Sequence, residues 1–366
     1  MVFKKILWKL LNNNLKIITM KNYIKLTFVL IISAYLFSSC KTASLSVNVL
    51  KPAQITVPSN IKTLAVVNRS LPGKGSHLGN IVEGVLSGEG LFVDREASGR
   101  TVNGVADALL SSPRFKITVP NGIDIKGTGT SKFAEPLEWS KVKEICKEYS
   151  ADALILLETF DSNVGRSMTS KEKTKKKDDQ TITYMEYTAH LDIGIEAGWR
   201  IYYPAKNKIV DQNVFVDHMH WKGVGLSEEE AKRKLPISRI AIKDAGFFAG
   251  QQYGIRISPM WVWVGRSYYK KGNDDFKNAK FNVKAQEWDK AKEIWTRNID
   301  DPDIKIRGYA AYNLALAAEV QGDLDVALDW AKKSYSDFRI KKALSYSRVL
   351  QQRIYDQARL KEQMGD

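Results

Sequence analysis

Between Tyr187 and Ile201 the side chains alternate without a break. Tyr187, Ala189, Leu191, Ile193, Ile195, Ala197, Trp199 and Ile201 fall on one side, and Thr188, His190, Asp192, Glu196 and Arg200 on the other. A period of two sends successive side chains to opposite faces of a strand, so this stretch predicts a long strand with one buried face. Pro204-Ala205-Lys206-Asn207 supplies a turn, and Ile209 to Val216 returns as the second arm of a hairpin. Thr63–Asn68 and Ala153–Leu157 are short apolar runs that predict fully buried strands, Phe115–Val119 predicts another, and Trp261–Tyr268 the last. Helical spacing predicts helices over Val102–Leu110, Ile240–Gln252 and Trp139–Tyr149, the last with Val142, Ile145 and Cys146 on one face. The order strand, helix, strand, helix, strand, hairpin, helix, strand predicts a mixed α/β layer domain over residues 60–270.

Beyond Lys271 the pattern changes from alternation to helical spacing, and it repeats. Asn313 to Leu328 carries Ala315, Gly322, Asp323, Leu324, Ala327 and Leu328. Ala279, Trp288, Asp289 and Ala291 stand at the positions equivalent to Ala315, Leu324, Asp325 and Ala327 one unit upstream, with Asp301-Pro302 closing that unit. Small residues let paired helices approach, and a glycine ends the first of them. The upstream copy has Gln286 where Gly322 stands, which leaves its turn geometry open. Lys341 to Met364 predicts a final amphipathic helix capping the stack, with Leu344, Val349, Leu350 and Ile354 inward. The chain therefore reads as α+β, a mixed α/β layer domain followed by an all-α helical hairpin domain over 271–366.

The Asn313–Leu328 pattern resembles a tetratricopeptide repeat. That resemblance implies a groove walled by the first helix of each unit, with Tyr309, Tyr312, Leu316 and Glu319 facing a partner such as a peptide tail. The upstream region, with Lys62-Thr63-Leu64-Ala65-Val66-Val67 at its head and Tyr149 to Leu157 in its middle, resembles periplasmic α/β domains of the TolB N-terminal and CsgG type. The CsgG likeness implies an alternative function, a subunit of an oligomeric outer-membrane pore or secretion assembly. In it the hairpin Tyr187–Ile201/Ile209–Val216 would enter the membrane, since transmembrane strands run about 9–11 residues. Pores of that type need two such hairpins, and the sequence offers one.

At the N-terminus, Lys21 and Lys25 precede the mostly apolar run Leu26–Phe37, which is followed by Ser38, Ser39 and Cys40. A basic start, a short apolar core and small residues in that order make an export signal, and the run is short of the about 20 residues of a membrane-spanning helix. The string Leu36-Phe37-Ser38-Ser39-Cys40 resembles the lipobox of bacterial lipoproteins, which implies lipidation of Cys40 and cleavage before it. Residues 1–39 are then the signal, with Met20 the expected start, and 40–59 a lipidated tether. With Lys41 following, the resemblance implies the periplasmic face of the outer membrane.

Charge changes this picture little. The chain of 366 residues carries a formal net charge of +15, and removing residues 1–39, which hold six lysines and no acids, leaves 50 basic against 41 acidic side chains. The surplus is scattered, which argues against a nucleic-acid partner. Of two cysteines, Cys40 is the lipidation candidate, so no disulfide is expected.

Candidate chemistry is sparse. His218 and His220 share a strand face and would need a cross-strand carboxylate to hold a metal, but no third ligand stands at a recognisable spacing. His190, Asp192 and Glu196 share a strand face and could form an acid–base set, but alternating polar positions on a half-exposed sheet produce such trios by default. Gly73-Lys74-Gly75-Ser76 lacks the full spacing of a phosphate loop. Lys171, Lys173, Lys175, Lys176 and Lys177 predict a solvated loop that could graze anionic headgroups or peptidoglycan. Trp288, Trp295 and Trp330 read as repeat packing and Cys146 as core. No nucleophile stands beside a base. The expectation is a non-enzymatic envelope protein with no cofactor, no metal and no small-molecule substrate, held to a membrane by its lipid and binding envelope proteins.

Overall fold

The computed structural model describes residues 41–72, 88–178 and 180–365. The fold is α+β: a strand-rich region is followed by a helical one. Strand β1 (Thr42–Lys51) pairs with β7 (Met260–Tyr269) in a two-stranded sheet. A five-stranded sheet has the order β3-β2-β4-β5-β6. It is made of β2 (Thr63–Asn68), β3 (Lys116–Thr118), β4 (Ala153–Lys177), β5 (Gln180–Tyr203) and β6 (Lys208–Gly225).

β2 runs parallel to β3 and β4, and helices α1 (Gly88–Leu110) and α2 (Trp139–Glu148) make the crossovers that parallel neighbours require. β4, β5 and β6 are antiparallel. Both faces of β2 are covered, which is why its run reads as continuously apolar. Leu64 and Val66 join the core that holds Val105 and Leu109 of α1, while Ala65 and Val67 meet Val142, Ile145 and Cys146 of α2. After the short α3 (Glu228–Arg233), α4 (Ser238–Ile257) packs beside α1. Glycines set that spacing: a Cβ on Gly250 would lie 1.9 Å from the Thr101 carbonyl oxygen, and one on Gly246 would lie 2.8 Å from that of Ala97. The apolar face of β5, from Leu191 through Trp199 to Ile201, is buried in the same core as Ala245, Ala249 and Tyr253 of α4, with Trp199 and Tyr253 stacked 4.4 Å apart.

The helical region comprises α5 (Asp274–Lys284), α6 (Trp288–Arg297), α7 (Ile304–Gln321), α8 (Leu324–Ser336) and α9 (Lys341–Met364). α5 packs on α6 and α7 on α8, as successive hairpins. Gly322 closes α7 with φ +91°, and Gln286 takes the same left-handed region at φ +60° after α5. In both turns the next amide reaches back five residues, Asp323 N–H to the Ala318 carbonyl at 2.9 Å and Glu287 N–H to that of Asn282 at 2.9 Å. This is the Schellman arrangement, so the missing glycine did not change the turn.

Three expectations are corrected. Residues 42–51 of the expected tether are strand β1, because alternate residues such as Val47 and Val49 have an apolar side to bury. The lysine-rich stretch is not a loop: Lys171 to Lys177 continue β4 and pair with Gln180 to Glu186 of β5. The boundary near residue 270 shifts as well. Among the described residues one compact unit comprises Asn48–Val264 with 352–365, and the other Gly265–Gln351 with 41–47. The first is called the sheet unit below and the second the helical unit.

Candidate functional site

Four residues expected to wall a groove, Tyr309, Tyr312, Leu316 and Glu319, lie on one side of α7, at the spacing that puts helix residues above one another. The structure brings them together but not as an open groove. Leu316, Glu319 and Tyr312 are buried and Tyr309 is half-buried, and the side chains of this face meet residues Gly265–Tyr269 of β7 in the same unit. The expected partner surface is therefore covered by the chain's own strand.

The contact is made as a strand neighbour would make it. The Tyr269 amide donates to Asn313 Oδ1 at 2.8 Å, and Asn313 Nδ2 donates to the Tyr269 carbonyl at 2.7 Å, so one side-chain amide satisfies a whole peptide unit. The Tyr269 ring stacks on Tyr309 with centroids 3.9 Å apart and meets Tyr312 edge-on at 5.3 Å. Burial pushes the Tyr269 hydroxyl up to about 12. Nearly two turns further along α7, Arg266 forks onto Glu319, Nε to Oε2 at 2.8 Å and Nη2 to Oε1 at 2.7 Å, and the Tyr346 hydroxyl of α9 donates to Oε2 at 2.6 Å. Bidentate pairs of this kind fix geometry as well as charge. Burial lowers the Arg266 guanidinium, and Glu319 more than offsets it, leaving it above its ordinary value. Burial and the Glu319 charge carry the Tyr346 hydroxyl well above the usual range.

What stays open is the space beside the strand. A crevice of about 360 Å³ is lined by Ser44, Arg266, Ser267, Lys342, Ser345 and Val349, among others. Ser44, Lys342, Ser345 and Val349 are exposed, so Val349 does not point inward as the cap pattern suggested. The inward residues of that part of α9 are Ala343, Tyr346 and Leu350. Asn313, Arg266 and Lys342 are the residues that the sequence reading missed.

The remaining candidates resolve simply. His220 faces Asp192 with Nδ1 2.7 Å from Oδ1, and its Nε2 lies 3.3 Å from His190 Nδ1. His218 sits opposite Gly194, and Glu196 opposite Val216. Among the described residues no three His, Cys, Asp or Glu side chains are grouped so as to hold a metal ion. Cys146 is buried and free, its thiol pushed up to about 11 by burial. Trp295 is fully buried, and Trp288 and Trp330 are partly so. Among the described residues no helix is long and apolar enough to cross a membrane. Cys40 and Gly73-Lys74-Gly75-Ser76 lie outside the described residues. In the sheet unit a crevice of about 530 Å³ lies between α1 and the ends of β2 and β3, with Asn68, Arg100, Asn103 and Lys243 among its lining.

No curated protein matches this sequence. Among solved structures, one described as a neuraminyllactose-binding hemagglutinin homolog from Helicobacter pylori aligns with 12% identity over 56% of this chain and 87% of that one. Its TM-score is 0.26, a likeness that carries no argument. Two family models match, each described as a domain of unknown function: DUF6340 over residues 277–352 and DUF8603 over residues 61–269. The second model reaches from just before β2 to the end of β7, more than half of the 366 residues, and the protein belongs to the DUF8603 family.

Proposed function

We propose that this chain is a lipid-anchored protein of the cell envelope, on the periplasmic face of the outer membrane, that works by holding other envelope proteins and not by catalysis. The observation that carries this reading is the grip of α7 on an extended strand. Asn313 recognises a peptide unit, Glu319 an arginine and Tyr309 an aromatic ring, which is the chemistry of peptide recognition. With Gly265–Tyr269 seated there, the partner's place is the adjoining crevice, where Lys342 and Ser345 favour an extended segment bearing a carboxylate. The lipid anchor at Cys40 rests on the signal-like sequence before it. A pore is the weaker reading, because the apolar face of β5 that would meet lipid is taken up in the core with α1 and α4.

The test is a crosslinking pull-down from membranes with the full chain, a Lys342→Glu/Ser345→Trp variant that reverses charge and fills the crevice, and Cys40→Ala. Both crevice residues are exposed, so the variant should fold. Loss of the crosslinked partners with the crevice variant is the expected result, together with release from membranes for Cys40→Ala. Partners retained by the crevice variant would move the function into the sheet unit.

A further inference from the structure

Among the described residues β4 and β5 form the longest strand pair, and it runs out past its flanking strands β2 and β6. β2 accompanies β4 only as far as the pair Asn68↔Leu157, and β6 accompanies β5 only from Tyr187↔Gly225 inward. The pairs from Lys171↔Glu186 to Lys177↔Gln180 therefore form a two-stranded ribbon with no third strand among the described residues. Seven pairs at about 3.4 Å per residue make an arm of about 20 Å. Lys171 to Lys176 are all exposed, so neither face of the arm has a core to cover.

Two features distinguish this arm from a plain solvated hairpin. Lys171, Lys173 and Lys175 alternate along β4 and so share one face, in a row spaced by about 7 Å. Lys222, exposed on β6 opposite His190, continues that face inward. Glu186 takes up Lys173 at 2.6 Å, while Lys171 and Lys175 have no ion-pair partner among the described residues. The second feature is apolar: Ile182 lies directly opposite Lys175 and is 46% exposed, Tyr184 lies opposite Lys173, and Met185 is 40% exposed on the reverse face. Lysines interleaved with an exposed aliphatic and a half-buried aromatic side chain match a bilayer interface, where the ammonium meets headgroup phosphate and the apolar group enters the acyl boundary.

We propose that the β4–β5 arm, through Lys171, Lys173, Lys175 and Ile182, docks on an anionic lipid surface. The inference does not depend on the protein-binding role given to the helical unit. Lysines on free strand edges also serve to block edge-to-edge pairing, and the test separates that role from docking. The full chain and Lys171→Gln/Lys175→Gln are floated with vesicles of phosphatidylcholine alone and of phosphatidylcholine with phosphatidylglycerol. Residues 1–39 contribute six lysines equally to both proteins, so the difference between them reports the arm.

A lysine near an anionic surface is worth about 1 kcal/mol, so the double variant should bind the mixed vesicles about 30-fold more weakly and the neutral vesicles equally. Salt should shrink that difference, and Ile182→Ser should weaken binding further at fixed charge. A double variant that keeps the full preference for the mixed vesicles would overturn the proposal, whatever the wild-type affinity. So would a single-stranded DNA oligomer that binds more tightly than the vesicles with the same lysine dependence.

Discussion

Among the described residues each unit of this protein buries one glutamate, and the two are buried for different ends. Glu158 in the sheet unit is fully enclosed, with Arg69 Nη1 3.1 Å from Oε2, Arg200 Nη1 3.4 Å from Oε1, and the Tyr202 hydroxyl donating to Oε1 at 2.9 Å. Its two arginines also donate to the carbonyls of Lys126, Glu135 and Ala134, so the carboxylate ties the loop before α2 onto the sheet. Glu319 in the helical unit meets Arg266 and Tyr346, and what it ties is a strand to a helix face. The first network is a structural rivet between segments already held by strand pairing. The second, with Asn313, supplies most of the polar contact that seats Gly265–Tyr269 on α7.

Removing a member from each network should therefore give unlike results. Glu158→Ala leaves two cations facing an empty carboxylate site, and breaking a buried ion pair from one side costs about 3–5 kcal/mol. The carbonyl contacts of Arg69 and Arg200 survive, which puts the expected loss near the low end, about 3 kcal/mol, read as a fall in the urea midpoint of global unfolding. A loss below about 1 kcal/mol would mean that the loop carbonyls suffice and the rivet is unnecessary.

Asn313→Ala should cost less and act more locally. It deletes two hydrogen bonds and leaves the Tyr269 amide and carbonyl without that partner, a penalty of about 2 kcal/mol. The sharper readout is amide exchange: Tyr269 should exchange about 10-fold or more faster, while Leu156 and Ile193 in the sheet unit keep their protection. Equal acceleration in both units would contradict the picture of a strand held locally by α7.

The same contrast explains what the sequence made legible. The face of β5 could be read because one side of it is core, so its alternation survives in the residue order. The outer half of β4 could not be read, because Gly165 to Lys176 has Met168 as its one apolar side chain, is otherwise polar or charged on both faces, and owes its strand form to pairing with β5. The α7–α8 hairpin was legible through its small residues and Gly322, and so was the shared face of Tyr309, Tyr312, Leu316 and Glu319. What fills that face was not, since Arg266 and Glu319 stand 53 positions apart and no local pattern links them. Asn313 was the available sign. A carboxamide in the run Leu314-Ala315-Leu316-Ala317-Ala318 must find partners when buried, and its partner is the Tyr269 peptide unit.

The smallest effect tests the likeness of the two hairpins themselves. Gln286 and Gly322 end equivalent helices with the same left-handed backbone and the same five-residue reach of the following amide, so they differ in side chain and not in turn. Glutamine at positive φ costs about 1–2 kcal/mol that glycine does not incur, against which glycine brings a more flexible unfolded chain. Gln286 is exposed and no Cβ contact would be met at Gly322, so packing should cancel. Gln286→Gly should then stabilise by about 0.5 kcal/mol, and Gly322→Gln should destabilise by about 1 kcal/mol, both as midpoint shifts at unchanged slope. If Gln286→Gly instead lowers the midpoint, the left-handed turn after α5 is held by the glutamine side chain, and the two hairpins share a shape without sharing its cause.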